Sequence, residues 1–217
     1  MGEYVTTVSA ENQVIESALV SYIGNPDAPY RVLVLGNSIT RHGPKEDIGW
    51  TGDWGMAASC AENDFVHRLY GMFKESGKDV YMRIRQGSSW EVGFYKEDYE
   101  YDFDEDVAFD ADLIVFRLGD NVKLSIAHYF KEGLIKFINY LKGEKTKLVF
   151  TSCFYNSIER NGVLEEVAAM FNSPYADIIC RDKALYTAEG LFEHSGVAGH
   201  PGDRGMEMIA TKIFELI

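Results

Sequence analysis

Five short apolar blocks recur along the chain, and between them the apolar positions change from continuous runs to a helical period. "RVLVL" at 31–35 reads as a first buried strand, and "KDVYMRI" at 78–84 as a second. "DLIVFRL" at 112–118, "KLVFTSC" at 147–153 and "ADIIC" at 176–180 read as the third, fourth and fifth. Continuous apolar runs bounded by turn residues suit strands that are covered on both faces. After the first strand, Phe65, Val66, Leu69, Tyr70 and Phe73 fall on one helical face, and Gly77 can close that helix. A long helix over 122–142 carries the stripe Phe130, Leu134, Phe137, Ile138 and Leu141, with Gly143 as its stop. "VLEEVAAMF" gives a further helix, and Met206, Ile209, Ala210, Ile213 and Ile217 mark the last one. Strands alternating with helices predict an α/β fold: a three-layer α/β/α sandwich around a mostly parallel five-stranded sheet. Residues 1–30 stand outside the alternation and read as an N-terminal extension, a strand or helix packed on a domain formed by 31–217.

The 217 residues, 46% hydrophobic and 25% charged, are ordinary for one sizeable globular domain. No apolar run reaches the length of about eighteen residues that a membrane span needs. "MGEYVTTVSAENQ" lacks a basic region followed by an apolar one, so no secretory signal is expected. Its Gly2-x-x-x-Thr6 spacing matches the myristoylation pattern only loosely. Cys60, Cys153 and Cys180 show no CxxC spacing, and three unpaired thiols suit a reducing cytoplasm. The net charge of −13, from 21 basic and 34 acidic residues, disfavours nucleic acid and anionic membranes as partners. Oligomeric state is left open.

In a parallel sheet of this kind, ligands bind beyond the carboxyl ends of the strands. That rule singles out four short stretches. The first strand runs into "LVLGNSITRHG" (33–43), which delivers Ser38 into a turn; the second ends in "RQGSSWE", the third in Gly119-Asp120-Asn121, and "GHPGDRG" precedes the last helix. A serine hydroxyl needs an adjacent base to act as a nucleophile, and His200 is the candidate. A tetrahedral intermediate needs donors aimed at its oxyanion. The Ser38 and Gly87 N–H groups and the Asn121 amide are the candidates for that site. Each residue also has a plainer reading. Ser38 can cap the next helix, Asn121 can cap the 122–142 helix, Gly87 can merely permit a turn, and His200 can be a surface turn residue. Asp203 reads as the N-cap of the last helix. His42, His67 and His128 read as structural or surface residues, with His42 close enough to Ser38 to line its pocket.

Together the four stretches resemble the sequence blocks of the SGNH (GDSL-like) hydrolases, named for a Ser, Gly, Asn and His in separate blocks. "GNSIT" resembles the first block, usually Gly-Asp-Ser, with Asn37 in place of the aspartate. "RQGSSW" is similar to the second through Gly87, and "LGDN" to the Gly-x-Asn block through Asn121, with Val122 where the family often has Asp. "HPGDRGMEMIA" resembles the last block through His200. The resemblance covers roughly 31–217 and implies a flavodoxin-like SGNH hydrolase fold and a carboxylic ester hydrolase that needs no metal or organic cofactor. One departure matters. The family places its triad acid three residues before the histidine, and here that position is Val197. A backbone carbonyl near Val197 is the expected substitute, which gives a Ser–His dyad. Glu193 and an inert site are the alternatives.

Two aromatic segments bear on the substrate. Trp50 and Trp54 in "IGWTGDWGMAAS" lie between glycines, as a loop over the site whose flat rings suit sugar faces. "EVGFYKEDYEYDFDEDVAFDAD" (91–112) reads as a solvated acidic insertion, or else supplies Trp90, Tyr95 or Tyr99 as an aromatic platform beside the serine. Asp102, Asp104 and Asp106 mimic the start of a calcium loop, but Val107 and Leu113 occupy the positions of its glycine and glutamate. The expected activity is therefore that of an O-acetyl esterase removing small acyl groups from a carbohydrate, with a small-molecule or oligosaccharide ester as its substrate. A lipolytic esterase or thioesterase is the alternative enzyme, and an inactive glycan-binding protein is the alternative of another class.

Overall fold

The computed structural model describes residues 19–96 and 102–217. Its centre is a six-stranded sheet in the order β1-β3-β2-β4-β5-β6. The strands are β1 (Val20–Gly24), β2 (Tyr30–Gly36), β3 (Val80–Gln86), β4 (Leu113–Arg117), β5 (Lys147–Thr151) and β6 (Tyr175–Ala176). All pairings are parallel except that of β1, which lies antiparallel on β3 from Val20 opposite Arg85 to Gly24 opposite Tyr81. The sixth strand thus comes from the segment before residue 31. β3 begins two residues later than its apolar pattern suggests. The fifth expected strand shrinks to two residues, because the Ile178 and Cys180 N–H groups donate to Ser152 Oγ and the Phe154 carbonyl.

The helices cover both faces. They are α1 (Phe65–Glu75), α2 (Ser88–Gly93), α3 (Asp104–Ala108), α4 (Ala127–Leu141), α5 (Ile158–Met170), α6 (Lys183–Tyr186), α7 (Ser195–Ala198) and α8 (Asp203–Phe214). Successive residues of a strand point to opposite faces, and β2 divides its side chains accordingly. Leu33 and Leu35 join Trp90, Phe116, Phe130 and Phe137 on one side, while Val32 and Val34 join Phe65, Leu69, Met206 and Ile209 on the other. Each such buried side chain stabilises the fold by about 1.5–3 kcal/mol. The apolar stripes of α1, α4 and α8 are buried as the periodicity predicts, apart from Tyr70, which is half-buried, and Ile217, which lies past the end of α8.

The described residues of the acidic segment after β3, 91–96 and 102–112, do not form a solvated insertion. Trp90 stacks on Phe137 with ring centroids 4.6 Å apart, and Phe103 and Phe109 are buried in the same core. Asp106 is buried between two arginines, 2.7 Å from Arg83 Nε and 3.3 Å from Arg85 Nε. A buried guanidinium pair needs a carboxylate beside it, so Asp106 is an internal counter-ion and not a calcium ligand. Among the described residues, no group of three His, Cys, Asp or Glu is arranged to hold a metal, and no helix is long and apolar enough to cross a membrane.

β2 sits between β3 and β4, with Gly36 opposite both Gln86 and Arg117. The turns that leave these three strands therefore start side by side at one edge of the sheet.

Candidate active site

Gly36 lets the first of these turns close tightly. A Cβ there would lie 1.9 Å from Thr40 Oγ1 and 2.9 Å from the Arg117 carbonyl oxygen. The Thr40 and Arg41 N–H groups donate to the Asn37 carbonyl at 2.8 and 3.1 Å, and the Met56 N–H donates to the Ser38 carbonyl at 2.9 Å. This leaves Ser38 half-buried at the tip, its N–H without a hydrogen-bond partner among the described residues. Ser38 caps no helix. The next α-helix, α1, has Asp64 as its cap, with the carboxylate accepting from the His67 N–H.

His200 arrives from the other end of the chain, just after the short helix α7, with its N–H donating to the Val197 carbonyl at 2.9 Å and its carbonyl accepting from the Ala188 N–H at 2.9 Å. Its Nε2 lies 2.8 Å from Ser38 Oγ, and its Nδ1 lies 2.6 Å from the Gly196 carbonyl oxygen. A carbonyl only accepts, so Nδ1 carries the hydrogen and the Nε2 lone pair faces the serine hydroxyl. Burial is the main cause that pulls the imidazole from its ordinary 6.5 to about 4. The Gly196 carbonyl and Asp120 oppose this shift, while the positive charges of Arg117 and His42 add to it. His42 itself lies near the pair, with Nδ1 at 2.6 Å from the Gly43 carbonyl oxygen.

The place of the missing triad acid is thus taken by the Gly196 carbonyl. Val197 is fully buried against Trp50, Met56, Ala57 and Ala188. Glu193 is exposed, and no hydrogen bond or ion pair links it to His200 among the described residues.

The remaining candidates meet around a residue the sequence does not single out. Glu91, on α2, is completely buried and accepts four hydrogen bonds. Oε1 accepts from Asn37 Nδ2 at 3.2 Å, from the Gly119 N–H at 2.6 Å and from the Asn121 N–H at 3.4 Å. Oε2 accepts from Asn121 Nδ2 at 2.7 Å. Burial pushes the Glu91 carboxyl above the ordinary carboxylate range, and the donors from Gly119, Asn121 and Asn37 act against that push. Arg117, fully buried at the end of β4, donates to Asn37 Oδ1 at 2.9 Å and pairs with Asp120 at 2.7 Å. Asp120 in turn accepts from the Phe154 and Tyr155 N–H groups. Asn121 therefore faces Glu91 and does not cap α4, which begins only at Ala127.

Gly87 is placed beside this group, but its N–H donates to the Gly36 carbonyl at 2.5 Å. That hydrogen is committed to extending the β2–β3 pairing, so the expected donor role of Gly87 does not hold in this arrangement. Asp203 is the first residue of α8 and not its cap, which is Gly202. Its carboxylate instead accepts from the Ser59 N–H and hydroxyl and from Asn63, tying down the loop after the serine.

The tryptophans also differ from expectation. Trp50 is buried, donates from its indole to the His42 carbonyl and meets Trp54 edge-on at 5.6 Å. Trp54 donates to the Ala58 carbonyl. Both rings brace the loop from inside, so Trp50 offers no face to a sugar. Trp90 is likewise core, Tyr95 is partly exposed, and Tyr99 lies outside the described residues. The open space lies on the histidine side. A cavity of about 480 Å³ is lined by Asn156, Lys183, Thr187, Glu189, Ser195 and Gly199, with Tyr155 beside them. Tyr155 donates to the Gly199 carbonyl at 3.0 Å, and its ring stands edge-on to the His200 imidazole at 6.4 Å.

Of the site residues expected from sequence, Ser38 and His200 are in direct contact, and Asn121 joins them through the turn after β4. The residues missed were Glu91, Arg117 and Asp120, whereas the Gly196 carbonyl on His200 Nδ1 is a backbone carbonyl next to Val197, as the sequence reading expected. Arg117 alone left a trace in the sequence, as an arginine within an otherwise apolar strand.

No protein-family model matches the sequence, and no curated protein sequence matches it. Solved structures do share its fold. An acetylxylan esterase from Geobacillus stearothermophilus superposes with a TM-score of 0.53 at 14% identity, covering 89% of this chain and 95% of that one. A protein from Bacteroides uniformis described as a GDSL-like lipase gives 0.57 at 16% identity, covering 86% and 94%. A family two carbohydrate esterase from Clostridium thermocellum gives 0.58 at 11% identity, covering 88% of this chain and 64% of that one. The architecture is that of the GDSL-like (SGNH) hydrolases.

Proposed function

We propose that this protein, built on the SGNH hydrolase fold, is a serine ester hydrolase working through a Ser38–His200 dyad. The observation that carries the reading is the 2.8 Å contact of Ser38 Oγ with His200 Nε2, with Nδ1 held by the Gly196 carbonyl. His200 accepts the Ser38 proton as Oγ attacks the acyl carbonyl, and the imidazolium then protonates the leaving oxygen. A water molecule activated by His200 releases the acyl group from Ser38. The Ser38 N–H and the Asn121 amide are the donors for the oxyanion. Gly87 joins them only if its N–H leaves the Gly36 carbonyl.

The substrate favoured is a small acyl ester, such as acetate, of a carbohydrate. The support is the set of polar side chains in the cavity next to Gly199, where Asn156, Lys183, Thr187, Glu189 and Ser195, alongside Tyr155, Cys180 and Ala198, offer partners for hydroxyl groups. A long acyl chain calls for an apolar groove instead. Two of the structures with the same fold are named for acetylxylan and carbohydrate ester hydrolysis, which agrees with this choice.

The test is acetate release from p-nitrophenyl acetate by the wild type, Ser38→Ala and His200→Ala. Loss of a general base costs ~10²–10⁴-fold, so each variant is expected to lose nearly all turnover. Equal rates in the three proteins would sink the dyad. Fluorophosphonate labelling of Ser38 in the folded protein separates an enzyme from an inactive glycan-binding protein. Rates on acetylated xylo-oligosaccharides against p-nitrophenyl decanoate then decide between the sugar ester and the lipolytic reading.

A further inference from the structure

We propose that Glu91 is the positioning residue of the oxyanion site, a role that rests on the ester-hydrolase reading above. An ionised carboxylate only accepts, and Glu91 accepts from four N–H groups, three converging on Oε1 and one on Oε2. None of these partners can accept, so the arrangement suits the ionised acid and gives it no acceptor for a proton. The 2.6 and 2.7 Å bonds from Gly119 N and Asn121 Nδ2 have the lengths of charge-assisted contacts.

The geometry explains what this carboxylate does. Asn121 Nδ2 carries two hydrogens. Glu91 Oε2 takes one, which fixes the plane of the amide and leaves the second for the oxyanion, beyond a long 3.5 Å contact with Ser88 Oγ. Oε1 meanwhile binds the two turns that flank the reaction centre: Asn37, next to Ser38, and Gly119, two residues before Asn121. Gly119 has φ +124°, and a Cβ there would lie 2.9 Å from Cys153 Sγ, so its backbone is free to turn its N–H inward. Glu91 is itself immobilised, because its neighbour Trp90 is stacked between Phe94 and Phe137. Where the resemblance leads one to expect an aspartate before the serine, the chain has Asn37, and the negative charge comes from Glu91 on a different element.

The role differs from simple structural support in being transmitted through Asn121. The experiment is a double-mutant cycle on wild type, Glu91→Gln, Asn121→Ala and the pair, reading kcat and KM for p-nitrophenyl acetate, with circular dichroism to establish folding. Removing an oxyanion donor costs ~10²–10³-fold in kcat, the expectation for Asn121→Ala. In Glu91→Gln an amide NH₂ faces N–H donors, the Asn121 amide turns away, and a displacement of about 1 Å is expected to lower kcat ~10²-fold with KM little changed. In the Asn121→Ala background Glu91→Gln should cost much less than it does alone. Adding Asn37→Asp to Glu91→Gln returns one carboxylate to the same cluster and should recover part of the lost kcat. If Glu91→Gln does not fold, Glu91→Asp, which keeps the charge but withdraws it by one methylene, enters the cycle with the same reading. Losses that simply multiply, or a rise in KM with kcat retained, would overturn the role of Glu91 while leaving the dyad standing. A folded wild type without hydrolytic activity would overturn both.

Discussion

The two sides of the proposed reaction centre are built on opposite principles. Behind the serine and the oxyanion donors, charge is dense and buried: Glu91, Arg117 and Asp120 lie within hydrogen-bond reach of Asn37, Gly119 and Asn121 or of one another. Among the described residues, no carboxylate is hydrogen-bonded to the histidine. A carbonyl from a short helical turn holds Nδ1, and an apolar group around Val197 closes the space where an acid would stand. A fixed charge in a low-dielectric interior orients donors strongly, which is what the oxyanion side needs. The base needs only its tautomer fixed, and a carbonyl supplies that. What the carbonyl cannot supply is a full negative charge to offset burial, which is the main cause that holds the imidazole down to about 4 and keeps it neutral above that pH.

The charged side is the easier to break. Arg117 is fully buried and Asp120 is nearly so. Asp120→Ala leaves the guanidinium without its counter-ion, and removing one partner of a buried pair costs about 3–5 kcal/mol. Denaturant unfolding of the variant checks this. A loss below about 1 kcal/mol would mean that the serine side does not depend on its internal charge. The histidine side responds to the opposite change. Val197→Asp restores the residue type expected at that position, but the side chain points into the Trp50, Met56, Ala57 and Ala188 group. An unpaired polar group there is expected to cost about 1–3 kcal/mol and to leave kcat no higher. A rise in kcat with stability retained would show that the apolar packing around α7 adapts and that the missing acid is a defect of the site.

How much of this contrast was legible in the sequence follows the same division. Ser38, Asn121 and His200 follow strand ends or precede a helix, so local pattern and strand topology bring them to one edge. Glu91 is the most consequential omission. It sits in a stretch of Asp, Glu and aromatic residues whose composition resembles a solvated loop, and only the packing of Trp90 and Phe103 turns that stretch inward. A buried carboxylate has no local signature, because its partners come from residues 37, 119 and 121 on other elements. The carbonyl that holds His200 was legible in outline, because Val197 cannot supply an acid and leaves the backbone beside it, and the fold selects Gly196. The tryptophans were misplaced because an indole between glycines looks the same in sequence whether its N–H meets solvent or the His42 carbonyl. At the level of the fold, the five apolar blocks were placed to within two or three residues, apart from the short β6, where hydrogen bonds from the Ile178 and Cys180 N–H groups to Ser152 Oγ and the Phe154 carbonyl replace the ladder.

The weak base makes a sharper test of the contrast. The imidazole of His200 is held down to about 4, so the free protein keeps its Nε2 lone pair available above that pH and loses it to protonation below. The acid limb of kcat/KM reports the free-enzyme base. With an ordinary imidazole at ~6.5, activity at pH 5 would fall about 30-fold; with a base near 4 it should fall by only about a tenth. An acid limb with a midpoint near 6.5 would mean that the histidine side is neither as buried nor as neutral as its geometry indicates.

The smallest expected effect bears on the alternative acid. Glu193 lies on the loop that leads to α7, and in a triad it would be the partner of His200 Nδ1. That nitrogen already has the Gly196 carbonyl at 2.6 Å, and the Glu193 side chain is exposed. Exposed substitutions away from contacts change free energies by no more than about 0.5 kcal/mol. Glu193→Ala should therefore keep kcat/KM within about a factor of two, with the acid limb unmoved. A loss of ten-fold or more in kcat, together with a shift of the acid limb of kcat to lower pH, would show that Glu193 swings onto the imidazole during turnover. The histidine side would then be charged like the serine side, and the contrast between them would hold only for the resting protein.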